Sequence, residues 1–142
     1  MSAACLVDTD VLSEVRRGAR ANPGVRRFFE QAAQTGRSLY VSAVTIGELR
    51  RGVEVIRHRG DASQAERLES WLNLLLADYR EAVLDFGEVE AQVWGRLRVP
   101  HPENALDKQI AATALTHGLT LVTGNVADFH GLGVDLLNPF GR

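Results

Sequence analysis

The chain is nearly without cysteine and lysine: Cys5 and Lys108 are the only ones among 142 residues. A lone cysteine excludes an internal disulfide framework, and its place in the apolar run Ala3-Ala4-Cys5-Leu6-Val7 makes a buried, inert thiol the expectation. The four histidines, His58, His101, His117 and His130, stand without paired spacing, so no Cys/His cluster exists to select zinc. Each reads as a surface or capping residue. No apolar stretch approaches the ~20 residues needed to span a bilayer. Nor does the N-terminus carry a charged leader ahead of an apolar run and a small-residue cleavage site, so a cytoplasmic protein is expected, with no membrane partner. No repeat, low-complexity tract or linker breaks the chain, and residues 1–142 read as one domain with one core.

The net charge of −2 argues against a strongly basic nucleic-acid binder, but it hides an asymmetry. Residues 1–60 hold ten arginines against six acids, about +4, and residues 61–142 hold six basic residues against twelve acids, about −6. Fifteen arginines against one lysine suit bidentate phosphate contacts, although GC-rich coding gives the same bias.

Short apolar runs alternate with helical patterns. Cys5–Val7, Leu39–Val41, Ala82–Leu84, Leu119–Val122 and Val134–Leu137 read as brief strands, mostly without polar interruption, as expected of strands covered on both faces. Between them, Thr9–Arg17, Gly24–Gln34, Ala43–Arg57, Ala62–Tyr79, Glu88–Arg98 and Asn104–His117 fit helices, with Gly118 a C-terminal stop. The alternation predicts an α/β fold with a central, mainly parallel sheet and helices on both faces. In the fourth helical segment Leu68, Leu72, Leu75 and Tyr79 form one stripe. Trp71, Leu74 and Leu76 widen it, which leaves open a buried core helix or a subunit contact.

In such a sheet ligands bind beyond the carboxyl ends of the strands, near the point where strand order reverses. Asp8 directly follows the first strand, and Asp128 follows the fourth after Thr123-Gly124-Asn125. Either alone reads equally well as a helix cap. Glu48 lies on a helix whose apolar stripe is Ile46, Leu49, Val53 and Ile56; Thr45 and Gly52, at i−3 and i+4, leave its flank open to a ligand. Asp107 precedes Ile110, Ala111 and Ala114 at i+3, i+4 and i+7, which turns its carboxylate toward the packed face. A buried carboxylate needs a cation, a proton or a hydrogen-bond donor, and the dipole of the first helical turn offers only about 0.3–1 kcal/mol. Acids gathered at one edge are matched by a hard divalent cation with oxygen ligands, Mg²⁺ or Mn²⁺. Such a site supports phosphodiester hydrolysis without a covalent nucleophile. Thr9 and Thr123 are candidates to hydrogen-bond a carboxylate or a metal-bound water, and Asn125 to hold Asp128 or touch phosphate; turn and capping chemistry is the alternative for all three.

Four motifs in order, Leu6-Val7-Asp8-Thr9-Asp10-Val11-Leu12-Ser13-Glu14, Ser42-Ala43-Val44-Thr45-Ile46-Gly47-Glu48-Leu49-Arg50-Arg51-Gly52, Asp107-Lys108-Gln109-Ile110-Ala111-Ala112-Thr113-Ala114 and Leu121-Val122-Thr123-Gly124-Asn125-Val126-Ala127-Asp128-Phe129, resemble PIN domains. The resemblance is greatest to the VapC toxins and the related FitB branch, and runs from Leu6 to Pro139. It implies a single PIN domain and an endoribonuclease dependent on Mg²⁺ or Mn²⁺. The family's acids fall on Asp8, Glu48, Asp107 and Asp128, with Asp8, Asp107 and Asp128 as metal ligands. It also implies a homodimer, a VapB-type antitoxin partner, and a structured RNA substrate such as transfer or ribosomal RNA, cut to a 3′-hydroxyl and a 5′-phosphate. Arg16, Arg17, Arg26, Arg27, Arg50 and Arg51 are then candidates to guide RNA.

Three positions depart from the family. Asp10 stands where Asn or Ser is frequent, Gly124 where many relatives have Arg, and the stretch Pro100–Leu106 is unlike the commoner relatives. Two other families of function share part of this pattern. A haloacid-dehalogenase-like phosphatase also begins with an acid pair after its first strand, but expects Gly-Thr where Val11-Leu12 follow. A non-catalytic PIN fold serving only as an RNA- or partner-binding module is the other, and retention of all four acids argues against it.

Overall fold

The computed structural model describes residues 3–141. Five short strands, β1 (Cys5–Val7), β2 (Leu39–Ser42), β3 (Val83–Leu84), β4 (Thr120–Val122) and β5 (Leu136–Leu137), form one sheet in the order β3-β2-β1-β4-β5. Every pairing is parallel, with Leu6 opposite both Tyr40 and Leu121. Seven α-helices surround the sheet among the described residues: α1 (Thr9–Val15), α2 (Pro23–Thr35), α3 (Ala43–His58), α4 (Ala62–Asp78), α5 (Glu88–Leu97), α6 (Ala105–His117) and α7 (Val126–Phe129).

Strand alternation divides the core into two layers. Cys5, Val7, Val41 and Val122 point to the side packed by Val11, Leu12, Val25, Leu49, Val53, Leu72 and Leu75, so α1 to α4 cover that face. Leu6 and Leu121 point to the other side, against Ile110, Ala111, Ala114 and Phe129 of α6 and α7. Side chains of period two on strands that are buried on both faces require the uninterrupted apolar runs that the sequence contains.

Sequence and structure agree on all five strands and on the six longer helices. The differences lie at the ends. α1 stops at Val15, followed by a 3₁₀ turn over Gly18–Arg20 in which Gly18 takes a φ of 60°, and the last strand is reduced to Leu136–Leu137. The four-residue α7 has too few turns to leave a periodic signal. Gly118 closes α6 in the left-handed conformation, and Cys5 is buried, both as expected. No helix among the described residues is long and apolar enough to cross a membrane.

The strand order reverses beside β1. From β1 the chain proceeds to β2 and β3 on one side, then crosses to β4 and β5 on the other, which leaves a crevice past the carboxyl ends of β1 and β4.

Candidate active site

Four elements deliver acids to that crevice. Asp8 is the first residue after β1 and the N-cap of α1: its Oδ1 accepts from Thr9 N at 2.8 Å. Its backbone N–H extends the β1–β4 ladder to the Val122 carbonyl at 2.9 Å, which fixes the residue at the strand end. Thr123, the first residue after β4, is fully buried and donates its hydroxyl to Asp8 Oδ2 at 2.8 Å, across the switch point. One Asp8 carboxylate thus caps α1 through Oδ1 and faces the crevice through Oδ2.

The adjoining helices add the rest. Ser42 ends β2 and caps α3, accepting from Val44 N at 3.1 Å, which sets Glu48 in the second turn. The Thr9 hydroxyl lies 3.0 Å from Glu48 Oε1, to which it donates, and 3.1 Å from the Thr45 hydroxyl. Asp107 lies in the first turn of α6, whose start is pinned by Trp94 Nε1 donating to the Ala105 carbonyl at 3.0 Å. Asp128 lies on α7, exposed, and accepts from Asn125 Nδ2 at 2.8 Å. Thr9, Thr123 and Asn125 thus each hold a carboxylate by a neutral donor.

The electrostatics identify these acids as neighbours. Burial pushes the Asp8 carboxyl up to about 6; the bonds from Thr123 and Thr9 oppose the rise, and repulsion from Asp10 and Asp107 adds to it. Burial also raises Asp107, and repulsion from Asp128, Glu48 and Asp10 reinforces it. None of the described ion pairs reaches Asp8, Asp10, Glu48, Asp107 or Asp128.

Asp10, which the resemblance marked as a departure that makes the site more acidic, belongs to the cluster. Its Oδ2 accepts from Gly124 N at 2.9 Å and its Oδ1 lies 3.5 Å from the Thr123 hydroxyl. Burial raises its carboxyl, against the pull of those donors. The signal available in the sequence was its i+2 spacing from Asp8 with Gly124 opposite, legible only once β1 and β4 are known to be neighbours.

Two expectations need correction. Asp107 is half-buried, where Ile110, Ala111 and Ala114 of the same helix are fully buried. Arg50 is not a free cation for RNA: it bridges Glu54 on its own helix and Glu69 on α4, and Arg57 bonds the same two acids. Arg17 likewise pairs with Glu14, whereas Arg51 is exposed.

The donors around the crevice are all oxygens, the chemistry of a hard divalent cation. No group of three or more acids among the described residues is drawn close enough to enclose an ion.

Known proteins resemble this chain over nearly its whole length. Over 95% of this chain, plasmid stability protein StbB of Pseudomonas syringae and toxin FitB of Neisseria gonorrhoeae are each 32% identical, covering 97% of either relative. VapC ribonuclease Y4jK of Sinorhizobium fredii is 28% identical over 95% of this chain and 96% of its own length. The crystal structure of FitAcB from Neisseria gonorrhoeae superposes with a TM-score of 0.81 at 30% identity, covering 95% of this chain and 97% of that one. Residues 5–130, which span the switch point and all the acids described above, match the PIN domain model, and the chain belongs to the PIN domain family.

Proposed function

We propose that the protein is a metal-dependent endoribonuclease acting as the toxin of a toxin–antitoxin pair, with Asp8, Glu48, Asp107 and Asp128 as its catalytic acids. The observation that carries this reading is the convergence, on one switch point, of carboxylates from the start of α1 and from α3, α6 and α7, none of which takes part in the ion pairs seen among the described residues. The names borne by the relatives, a toxin and a ribonuclease, support the same reading.

Asp8, Asp107 and Asp128 are the candidates to hold Mg²⁺ or Mn²⁺. The cation, when bound, supplies Lewis acidity toward the phosphate and lowers the pKa of a coordinated water. Thr123 and Thr9 orient Asp8 through separate oxygens, and Asn125 orients Asp128. The Thr9 bond to Glu48 Oε1 leaves Oε2 to take the proton of the attacking water. Water oxygen then bonds to phosphorus, the P–O3′ bond breaks, and the 3′-oxygen takes a proton from solvent. Cleavage leaves a 3′-hydroxyl and a 5′-phosphate.

The partner expected is an antitoxin of the VapB or FitA kind covering the acids. A homodimer is also part of this reading: Leu74 on α4 is 67% exposed and, with Phe29, Trp71 and Tyr79, lines an open apolar cleft. The phosphatase alternative lapses with the family match, since the chain is of the PIN type over residues 5–130. The test is to incubate purified, antitoxin-free protein with total RNA, with Mg²⁺, with Mn²⁺ or with chelator, and to sequence the new 5′ ends. Defined ends that need the cation are expected. An RNA pool unchanged under every condition sinks the reading and leaves the non-catalytic module in its place.

A further inference from the structure

Beside the acids lies an open depression lined by Asp10, Gly124, Asn125 and Phe140. Three distant parts of the chain build it, and the C-terminal tail supplies the aromatic wall. That tail is held by backbone contacts. Asn22, the N-cap of α2, accepts on one Oδ1 from Gly24 N at 2.9 Å, Val25 N at 3.3 Å and Gly141 N at 2.9 Å. Gly24 makes room for the tail: a Cβ there would stand 2.2 Å from the Pro139 carbonyl oxygen and 2.8 Å from Gly141 N. Pro139 is buried, and Phe140 packs by part of its surface on the core beneath α1 to α4.

The clamp sets one edge of the Phe140 ring against Gly124. A Cβ at Gly124 would stand 2.7 Å from ring atoms Cδ2 and Cε2 and 2.9 Å from Asp10 Oδ2. Close approach therefore requires glycine at 124, which accounts for the departure from Arg at this position. The ring remains half-exposed in the depression. Polar groups face it: Asn125 gives one amide N–H to Asp128, and its Oδ1 has no partner among the described residues. A half-exposed aromatic on a rigid backbone, a few residues from catalytic acids and flanked by an amide, has the composition of a nucleobase platform. The depression is shallow and open, and Phe140 is its one aromatic wall, so it offers a stacking face to one unstacked base and not to a stacked run.

We propose that Phe140 is a substrate-positioning residue on which a single RNA base next to the scissile phosphodiester stacks, with Asn125 meeting the base edge. The inference rests on the nuclease reading above. It makes the tail part of the substrate site, and the Asn22–Gly24 notch the device that holds it there.

The probe is a single-stranded ribonucleotide 12-mer carrying the sequence most strongly cut by the unaltered protein in Mn²⁺, together with a series in which each position near the cut is made abasic in turn. Phe140→Leu keeps apolar packing and removes the π face; Phe140→Trp keeps the π face. Phe140→Leu is expected to raise KM about 5- to 100-fold, the range for losing one base–aromatic stack, with kcat nearly unchanged and the melting temperature preserved. Phe140→Trp should restore KM. At one abasic position the unaltered protein should lose the same factor, and Phe140→Leu should lose nothing further. Equal KM for Phe140→Leu and the original, or losses that simply multiply at every abasic position, overturns the inference alone. Where the variants fold poorly, the abasic series on the unaltered protein still decides: no position with a loss above about 5-fold overturns the platform. Failure of the unaltered protein to cut any RNA overturns the nuclease reading and the platform with it.

Discussion

Asp8→Asn should stabilise the metal-free protein at neutral pH. Asp8 is 5% exposed, and its carboxyl is raised from 3.8 to about 6. Below pH 4 the group is protonated folded and unfolded, so it imposes no penalty. Between pH 4 and 6 the folded state keeps a proton that the unfolded state has released, and stability falls as pH rises. Above pH 6 both states are ionised and the full penalty remains. A rise of this size corresponds to about 3 kcal/mol.

An amide retains the shape and still accepts from Thr9 N. It loses the bond accepted from Thr123, whose hydroxyl can rotate toward Asp10 Oδ1 and accept from the new amide. Allowing for imperfect repair of that bond, about 2 kcal/mol should be gained at pH 7, or roughly 6–10 °C in melting temperature for a chain of this size. Saturating Mg²⁺ should reverse the ranking, since an ion at 100 times its Kd stabilises only the folded original, by about 2.7 kcal/mol. Thermal melts of both proteins at pH 4 and pH 7, in chelator and in Mg²⁺, measure all four terms. A variant that melts below the original in chelator at pH 7 would show that the Asp8 charge is compensated within the fold, and the account of the site as mutually repelling acids would be wrong.

Three further outcomes are expected. Asp107→Asn should shift the same melts in the same direction by less, because Asp107 is only half-buried, while abolishing cleavage; destabilisation in chelator would make Asp107 a structural hydrogen-bonding residue. Gly124→Ala should lose about 1–3 kcal/mol in urea titrations, because its Cβ would press on Phe140 and Asp10, and an unchanged midpoint would show that the tail yields freely. Arg51→Glu should weaken RNA binding and flatten its salt dependence, whereas Arg50→Glu should act mainly by loosening α3 from α4; equal binding loss with unaltered melts for both would place Arg50 on the RNA as well.

What the sequence disclosed and what it withheld divide along physical lines. Strands buried on both faces must be apolar at every position, so β1 and β4 could be read directly, and each acid that follows a strand could be placed at the sheet edge. Glu48 and Asp107 followed from helical register. The depth of Asp107 did not, since register gives a direction but not the degree of burial. Asp10, Gly124 and Phe140 meet only because β1 and β4 are adjacent and the tail returns to the cap of α2, both consequences of tertiary topology. Arg50 and Glu69, nineteen residues apart, pair for a similar reason: α3 and α4 pack as a hairpin.

The choice of partners around the acids explains why the site is electrostatically unsatisfied. Among the described residues the donors that hold them are neutral, among them the hydroxyls of Thr9 and Thr123, the backbone N–H groups of Thr9, Val11 and Gly124, and the amide of Asn125. Neutral donors fix a carboxylate's direction and leave its charge intact, whereas an arginine or lysine would neutralise that charge and occupy the oxygens a metal needs. The chain has cations nearby but directs them elsewhere. Arg50 and Arg57 join α3 to α4, and Lys108, buried and adjacent in sequence to Asp107, donates to the His101 carbonyl. Orientation without neutralisation costs stability in the absence of an ion and yields affinity in its presence, which is the balance that melts with and without Mg²⁺ measure directly.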